Sequence, residues 1–186
     1  MKVLYLNQEE NEIIRLAIEN NRSAQQKIYA QFSSKMLSVC RQYIKDIHQA
    51  EDTMITAFMK VFTNLKNFQH HGSFEGWIRR IMVNECISHI RVQKKVSFIE
   101  DENYSEDSFN NIESRFSVED IQFLIDNLPD GYRMIFNLYA IEGYKHQEIA
   151  KMLGINEGTS KSQLSHARKL LKEQIIKLNN YSNGTE

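Results

Sequence analysis

Proline occurs once in the chain, at Pro129, and no glycine precedes Gly72. These are the two residues that interrupt helices, so their scarcity favours long uninterrupted helical segments. No apolar run approaches the length needed to cross a membrane, and the start "MKVLYLNQEENEII" carries acids where a signal peptide needs its apolar core. A cytoplasmic protein is therefore expected. Cysteine is nearly absent too. Cys40 and Cys86 each fall on an apolar helical stripe and read as two buried small side chains rather than a disulfide or a metal pair. Also missing are an H-E-x-x-H pair, a glycine-rich phosphate loop and a nucleophile elbow. His48, His70, His71, Glu51 and Glu75 therefore form no recognisable catalytic or metal set, and neither enzyme activity nor a cofactor is expected.

A surplus of positive charge is likewise lacking: the net charge is −1 over 186 residues. The average conceals a pattern. Residues 1–95 hold 14 Lys/Arg against 9 Asp/Glu, while 96–117 hold six acids against Arg115 alone. Within 151–177, Lys151, Lys161, Arg168, Lys169, Lys172 and Lys177 face only Glu157 and Glu173. Two basic segments are separated by an acidic one.

What is present is helical periodicity. Ile13, Leu16 and Ala17 open a short helix ending near Asn20-Asn21. Ser23 can cap a second, with Ile28, Phe32, Met36, Val39, Cys40 and Tyr43 inward. A third carries Ala50, Met54, Ala57, Phe58, Val61, Phe62 and Leu65. After "NFQHHGSF" a fourth carries Trp77, Ile78, Ile81 and Ile90. Four such stripes bury one another, so residues 1–95 read as a four-helix bundle. Residues 96–116 read as a mobile acidic linker. A second helical domain follows at 117–180, opening with the capping-box pattern of Ser117 and Asp120. "PDG" at 129–131 ends its first helix, and residues 181–186 are expected to be a frayed tail. The fold class is all-α, with two small helical domains.

The stretch "HQEIAKMLGINEGTSKSQLSHARKLL" (146–171) carries the clearest functional signal. Ile149, Ala150 and Leu153 face inward, Gly154 supplies a left-handed helix end, and Asn156 can cap the next helix. That is the sequence of a helix–turn–helix, whose second helix enters the major groove. On that second helix Leu164, Ala167 and Leu171 point to the core. Lys161, Ser165, Arg168 and Lys172 share the outward face, with Ser162, His166 and Lys169 beside it. Ammonium and guanidinium groups supply affinity for phosphates, and bonds to base edges supply discrimination.

"LPDGYRMIFNLYAIEGYKHQEIAKMLGINEGTSKSQLSHARKLLKE" resembles region 4 of the extracytoplasmic-function sigma factors, a group within the bacterial sigma family. "QAEDTMITAFMKVF" is similar to the core-binding helix of region 2, and "FQHHGSFEGWIRRIMVNECISHIR" to its promoter-melting segment. The resemblance implies a promoter-specificity subunit. Region 2 docks on the clamp helices of the largest subunit of core RNA polymerase, opens the −10 element and holds a flipped base. Region 4 reads the −35 element as duplex and packs on the flap of the second subunit. Such proteins usually also bind an anti-sigma factor, often membrane-anchored.

Carried over by position, the resemblance implies core-polymerase contacts at Glu51, Asp52, Ile55 and Phe58. It implies −10 contacts at Gln69, His70, His71, Ser73, Arg79, Arg80 and Asn84. Contacts to −35 DNA fall at Tyr144, Lys145, Lys161, Ser162, Ser165, His166, Arg168 and Lys169. Trp77 matches a family tryptophan expected in the core. Ser160 stands where an apolar residue is usual on the inner side of the recognition helix, and Ser88 where Asp is usual. Gln163, Ser165 and His166 replace bulkier, more basic residues. An ordinary dimeric helix–turn–helix regulator would explain 118–180 but leave the first domain without this role.

Overall fold

The computed structural model describes the backbone of residues 8–93 and 117–183. The chain divides into two compact units, Met1–Gln93 and Lys94–Glu186. The segment 96–116 that the sequence marks as a linker lies outside the described residues.

The first unit contains α1 (Gln8–Ile18), α2 (Arg22–Tyr43), α3 (Ile47–Asn64) with a short 3₁₀ turn at Leu65–Asn67, and α4 (Phe74–Gln93). Asn20 takes a left-handed conformation at φ 62° and closes α1. Asn21, rather than the expected Ser23, caps α2, its side-chain oxygen accepting from the Ala24 N–H at 3.1 Å. Asp46 caps α3 in the same way, accepting from Gln49 at 2.9 Å. Each cap satisfies an amide the helix leaves orphaned, worth about 1 kcal/mol.

The inward stripe predicted for α2 is buried throughout, and Ile28, Met36, Phe74, Ile78 and Met82 are sealed from solvent. Each such side chain contributes roughly 1.5–3 kcal/mol relative to exposure, which is why four amphipathic helices close on one core. Cys40 of α2 and Cys86 of α4 are free thiols within that core. The Cys40 thiol beside Cys86, together with burial, pushes the Cys86 thiol far above its ordinary range, so it stays protonated. At the surface Lys35 of α2 pairs with Glu75 of α4 at 2.6 Å, and Lys60 of α3 pairs with Glu85 of α4.

The second unit contains α5 (Val118–Asp126), α6 (Asp130–Phe136) with a wider π turn at Asn137–Ile141, α7 (His146–Leu153) and α8 (Glu157–Asn183). The Ser117–Asp120 capping box forms as the sequence predicts. Pro129 does more than end α5: it is the N-cap of α6, where its missing N–H costs nothing. Arg133 is buried and bonds the Asp126 carbonyl of α5 at 3.2 Å and the Asp130 carboxylate at 3.0 Å, tying the two helices together. Leu124 and Ile125 of α5, with Leu128 just beyond it, pack on Ala167 and Leu171 of α8. Helix α8 reaches Asn183, three residues into the tail expected to be frayed.

Candidate nucleic-acid interface

The helix–turn–helix geometry follows from three residues the sequence singles out. Gly154 ends α7 at φ 70°, its N–H donating to Ala150 O at 2.9 Å. Asn156 then caps α8: its Oδ1 accepts both the Thr159 N–H and the Thr159 hydroxyl, each at 2.8 Å. The start of α7 is closed from the other side, where the Lys145 N–H donates to the Glu148 carboxylate at 2.8 Å.

The first turns of α8 bury a polar layer rather than an apolar one. Thr159, Ser160, Ser162 and Gln163 are all buried. Ser160, the departure from an apolar family position, is fully enclosed, and its hydroxyl lies 2.9 Å from Nδ1 of His146. The pair explains how a hydroxyl is accommodated there. Burial, then the nearby Lys161 and Arg168 cations, hold the His146 imidazole below its ordinary range, and Glu157 partly opposes them. Ser162 is 1% exposed and donates to Thr159 O at 3.1 Å, so it does not share the outward face; this corrects the sequence reading. In the second turn of α8 the wheel places residue 162 at the boundary, and the spacing alone does not tell which way it falls.

The outward face of α8 is as the periodicity predicts in its main members. Lys161 and Lys169 are exposed, and Ser165 and Arg168 are half-exposed. Lys161 pairs with Glu157 at 2.7 Å, a bond that also holds the Glu157 carboxyl below its usual range. An exposed pair of this kind is screened by solvent and weak, so a phosphate can take its place. Two residues are turned to other uses. The His166 ring lies over Tyr132 at 5.6 Å with 21° between planes, toward α6. The Arg168 guanidinium stands over the Tyr139 ring at 5.6 Å. Tyr144 is half-buried and Lys145 exposed, both just before α7.

In the first unit the loop before α4 presents Gln69, His70 and His71 to solvent. His70 is left-handed at φ 57° and Gly72 at φ 105°, so the chain turns sharply twice within three residues. Ser73 is exposed, but its hydroxyl oxygen already accepts the Gly76 N–H at 3.1 Å and so caps α4. Trp77 is not wholly core: it is half-buried at the rim of an aromatic group, stacked on Phe74 at 5.9 Å and tilted against Phe68 at 5.6 Å. His70 packs against Phe68 at 4.6 Å. Along α4, Arg80 and Asn84 are exposed one turn apart, with Ser88 on the same side; Arg79 is half-buried.

Helix α3 presents a second face. Glu51 is half-buried, Asp52 exposed, and Ile55 is 51% exposed. Phe58, expected among the polymerase contacts, is 2% exposed and packs against Tyr29 at 4.9 Å and Phe62 at 6.0 Å. It belongs to the core. The sequence reading missed Met59, which is 62% exposed one turn beyond Ile55. The i, i+4 spacing of two apolar residues outside the core stripe is the signal that marks it. Among the described residues no group of three or more His, Cys, Asp or Glu could hold a metal ion, and no helix is long and apolar enough to cross a membrane.

Comparison with known proteins accords with this architecture. The family profile described as Sigma-70 region 2 matches residues 28–96, and Sigma-70, region 4 matches residues 119–171. The ECF RNA polymerase sigma factor SigE of Mycolicibacterium smegmatis is 31% identical over 141 residues, covering 70% of this chain and 53% of that protein. Against SigE, then, the chain spans about half the relative's length. The RNA polymerase sigma factor SigV of Bacillus subtilis is 29% identical over 135 residues, covering 73% of this chain and 81% of that one. SigW of the same organism, an ECF RNA polymerase sigma factor, is 28% identical over 158 residues, with 77% and 84% covered. Among solved structures, that of CnrH in complex with the cytosolic domain of CnrY aligns at a TM-score of 0.48 and 17% identity, covering 90% of this chain and 97% of that one. With the two sigma-70 regions matched in order over the two helical units, the chain belongs to the sigma-70 family, among the extracytoplasmic-function sigma factors of RNA polymerase.

Proposed function

We propose that this chain binds core RNA polymerase, directs promoter-specific initiation and catalyses nothing itself, with its two units dividing the work. The second unit lays α8 in the major groove of the −35 element. Lys161, Ser165, Arg168 and Lys169 face the DNA, and Tyr144 and Lys145 approach the backbone beside them. The first unit grips the opened −10 strand with Gln69, His70 and His71 of the loop and with Arg79, Arg80 and Asn84 of α4. Ser73 serves there by capping α4 through its hydroxyl oxygen. Glu51, Asp52, Ile55 and Met59 of α3 meet the clamp helices of the polymerase. Working within the transcription machinery places the protein in the cytoplasm, and an anti-sigma factor, of the membrane-anchored kind usual in the family, is its regulatory partner.

The observation that carries this reading is the capped turn at Gly154–Asn156, which sets α8 at the surface with a cationic outward face. Cations there bind any duplex through phosphates, and Ser165 and Arg168 add groups able to bond base edges. In the first unit a tight polar loop stands beside a basic helix face, the chemistry an unstacked base and its phosphates require.

Transcription in vitro on a pool of genomic promoter fragments, with core polymerase and with or without this chain, tests the proposal. Start sites appearing only when the chain is added, each preceded by two unlike protected elements, are the expected result. Tight sequence-specific duplex binding without polymerase, or a palindromic footprint, would overturn it in favour of a dimeric regulator.

A further inference from the structure

Arg168 does not leave α8 unsupported. Its guanidinium carbon stands 5.6 Å from the centre of the Tyr139 ring. The His146 imidazole also stacks on that ring, at 4.6 Å and 22° between planes. His146 is in turn held through Nδ1 by the hydroxyl of Ser160, which is fully buried. Three separate elements therefore meet under one cation: the π turn through Tyr139, α7 through His146, and α8 through both Ser160 and Arg168.

A guanidinium lying over an aromatic face has the plane of its N–H groups set by the ring, and these are the donors that make paired bonds to a base edge or a phosphate. A long side chain so held loses less freedom when it engages DNA, and it is aimed before contact. We infer that Tyr139, backed by His146, is a positioning residue that sets the aim of Arg168 and so tunes −35 discrimination without itself touching a base. The inference rests on the reading of α8 as the −35 reader. It also accounts for the polar layer beneath α8: an apolar residue at 160 would leave His146 without the hydroxyl that fixes its ring.

The experiment uses the full chain with core polymerase on a promoter selected by the wild-type protein from a pool randomised at the −35 element. Initiation is then compared on that promoter and on its single-base variants. Arg168→Ala should lower use of the selected sequence by about tenfold and flatten the preference at one position. Tyr139→Leu should give a loss of roughly threefold at the same position. Tyr139→Phe, which keeps the ring, should restore wild-type discrimination, and adding Tyr139→Leu to Arg168→Ala should cause no further loss.

His146→Gln, which can still bond Ser160 but removes the ring stacked on Tyr139, should reproduce the Tyr139→Leu pattern; it also serves if Tyr139→Leu fails to fold. Losses that multiply in the double variant, or full discrimination in His146→Gln, would overturn the inference while leaving the proposed function intact. Failure of the proposed function looks different: the wild-type chain would then give no promoter-specific starts with core polymerase at all.

Discussion

Asn156 carries two hydrogen bonds on one oxygen, and replacing it by Ala isolates what the turn of the helix–turn–helix contributes. The first bond, to the Thr159 N–H, is the N-cap of α8; its loss costs about 1 kcal/mol. The second, to the Thr159 hydroxyl, matters because Thr159 is buried. An unpartnered hydroxyl there adds about 1 kcal/mol more. The sum, about 2 kcal/mol, corresponds to roughly thirtyfold faster amide exchange in the first turns of α8 if those turns open locally. Asn156→Asp keeps an acceptor in place and adds a negative charge at a helix N-terminus, so its exchange should stay within a few-fold of the parent.

Hydrogen exchange of peptides spanning 157–165, measured on the intact chain, reads the effect directly. Trp77, the single tryptophan, lies in the first unit, so its fluorescence during urea unfolding is an internal control that neither variant should move. Equal protection in the Ala and Asp variants, or a shift of the Trp77 transition, would refute the reasoning.

Three further outcomes are expected. His146 has its folded-state pKa held below the ordinary 6.5, so between the two values the unfolded chain binds more protons than the folded one. The stability of the second unit should therefore be complete above about pH 6.5 and fall as the pH drops through and below that value. In His146→Gln this component should be absent, as seen by circular dichroism melts at stepped pH. Trp77→Ala should cost about 2 kcal/mol in urea unfolding followed by circular dichroism, less than a fully buried tryptophan, because the ring is only half-buried. A loss beyond about 4 kcal/mol would place the ring in the core after all. Ser162→Ala should leave −35 preference unchanged in transcription assays, since its hydroxyl is buried and bonded within α8; a specific loss at one base pair would reinstate it as a reader.

Much of the fold was legible because helices announce themselves by period. The α2 stripe from Ile28 to Tyr43, the Ser117–Asp120 box and the Gly154–Asn156 turn each rest on local rules that tertiary packing did not override. What escaped depended on neighbours distant in sequence. Phe58 lies on the inward stripe that periodicity marks, and its expected polymerase contact came from the resemblance; Tyr29, on another helix, covers it and leaves the adjacent Met59 outside. Ser160 looked like a defect on an inner face until His146, fourteen residues earlier, supplied its partner. The cap of α2 fell to Asn21 rather than Ser23 because both are good caps, and the turn after Asn20 selects between them. Tyr139 carried no signal at all: an aromatic within a helical stretch reads as packing, and nothing in the spacing announces a π turn.

That turn has a consequence for how such a molecule can change. From Asn137 to Ile141 the backbone closes over five residues instead of four, with the Glu142 N–H reaching Asn137 O at 2.9 Å. The surplus residue fixes the phase at which Tyr139 leaves its helix. Deleting one residue there would let an ordinary helix run on and swing the tyrosine about 100° around the axis. A length change of a single amino acid, outside the cationic helix, would thereby retune a guanidinium that the helix itself carries.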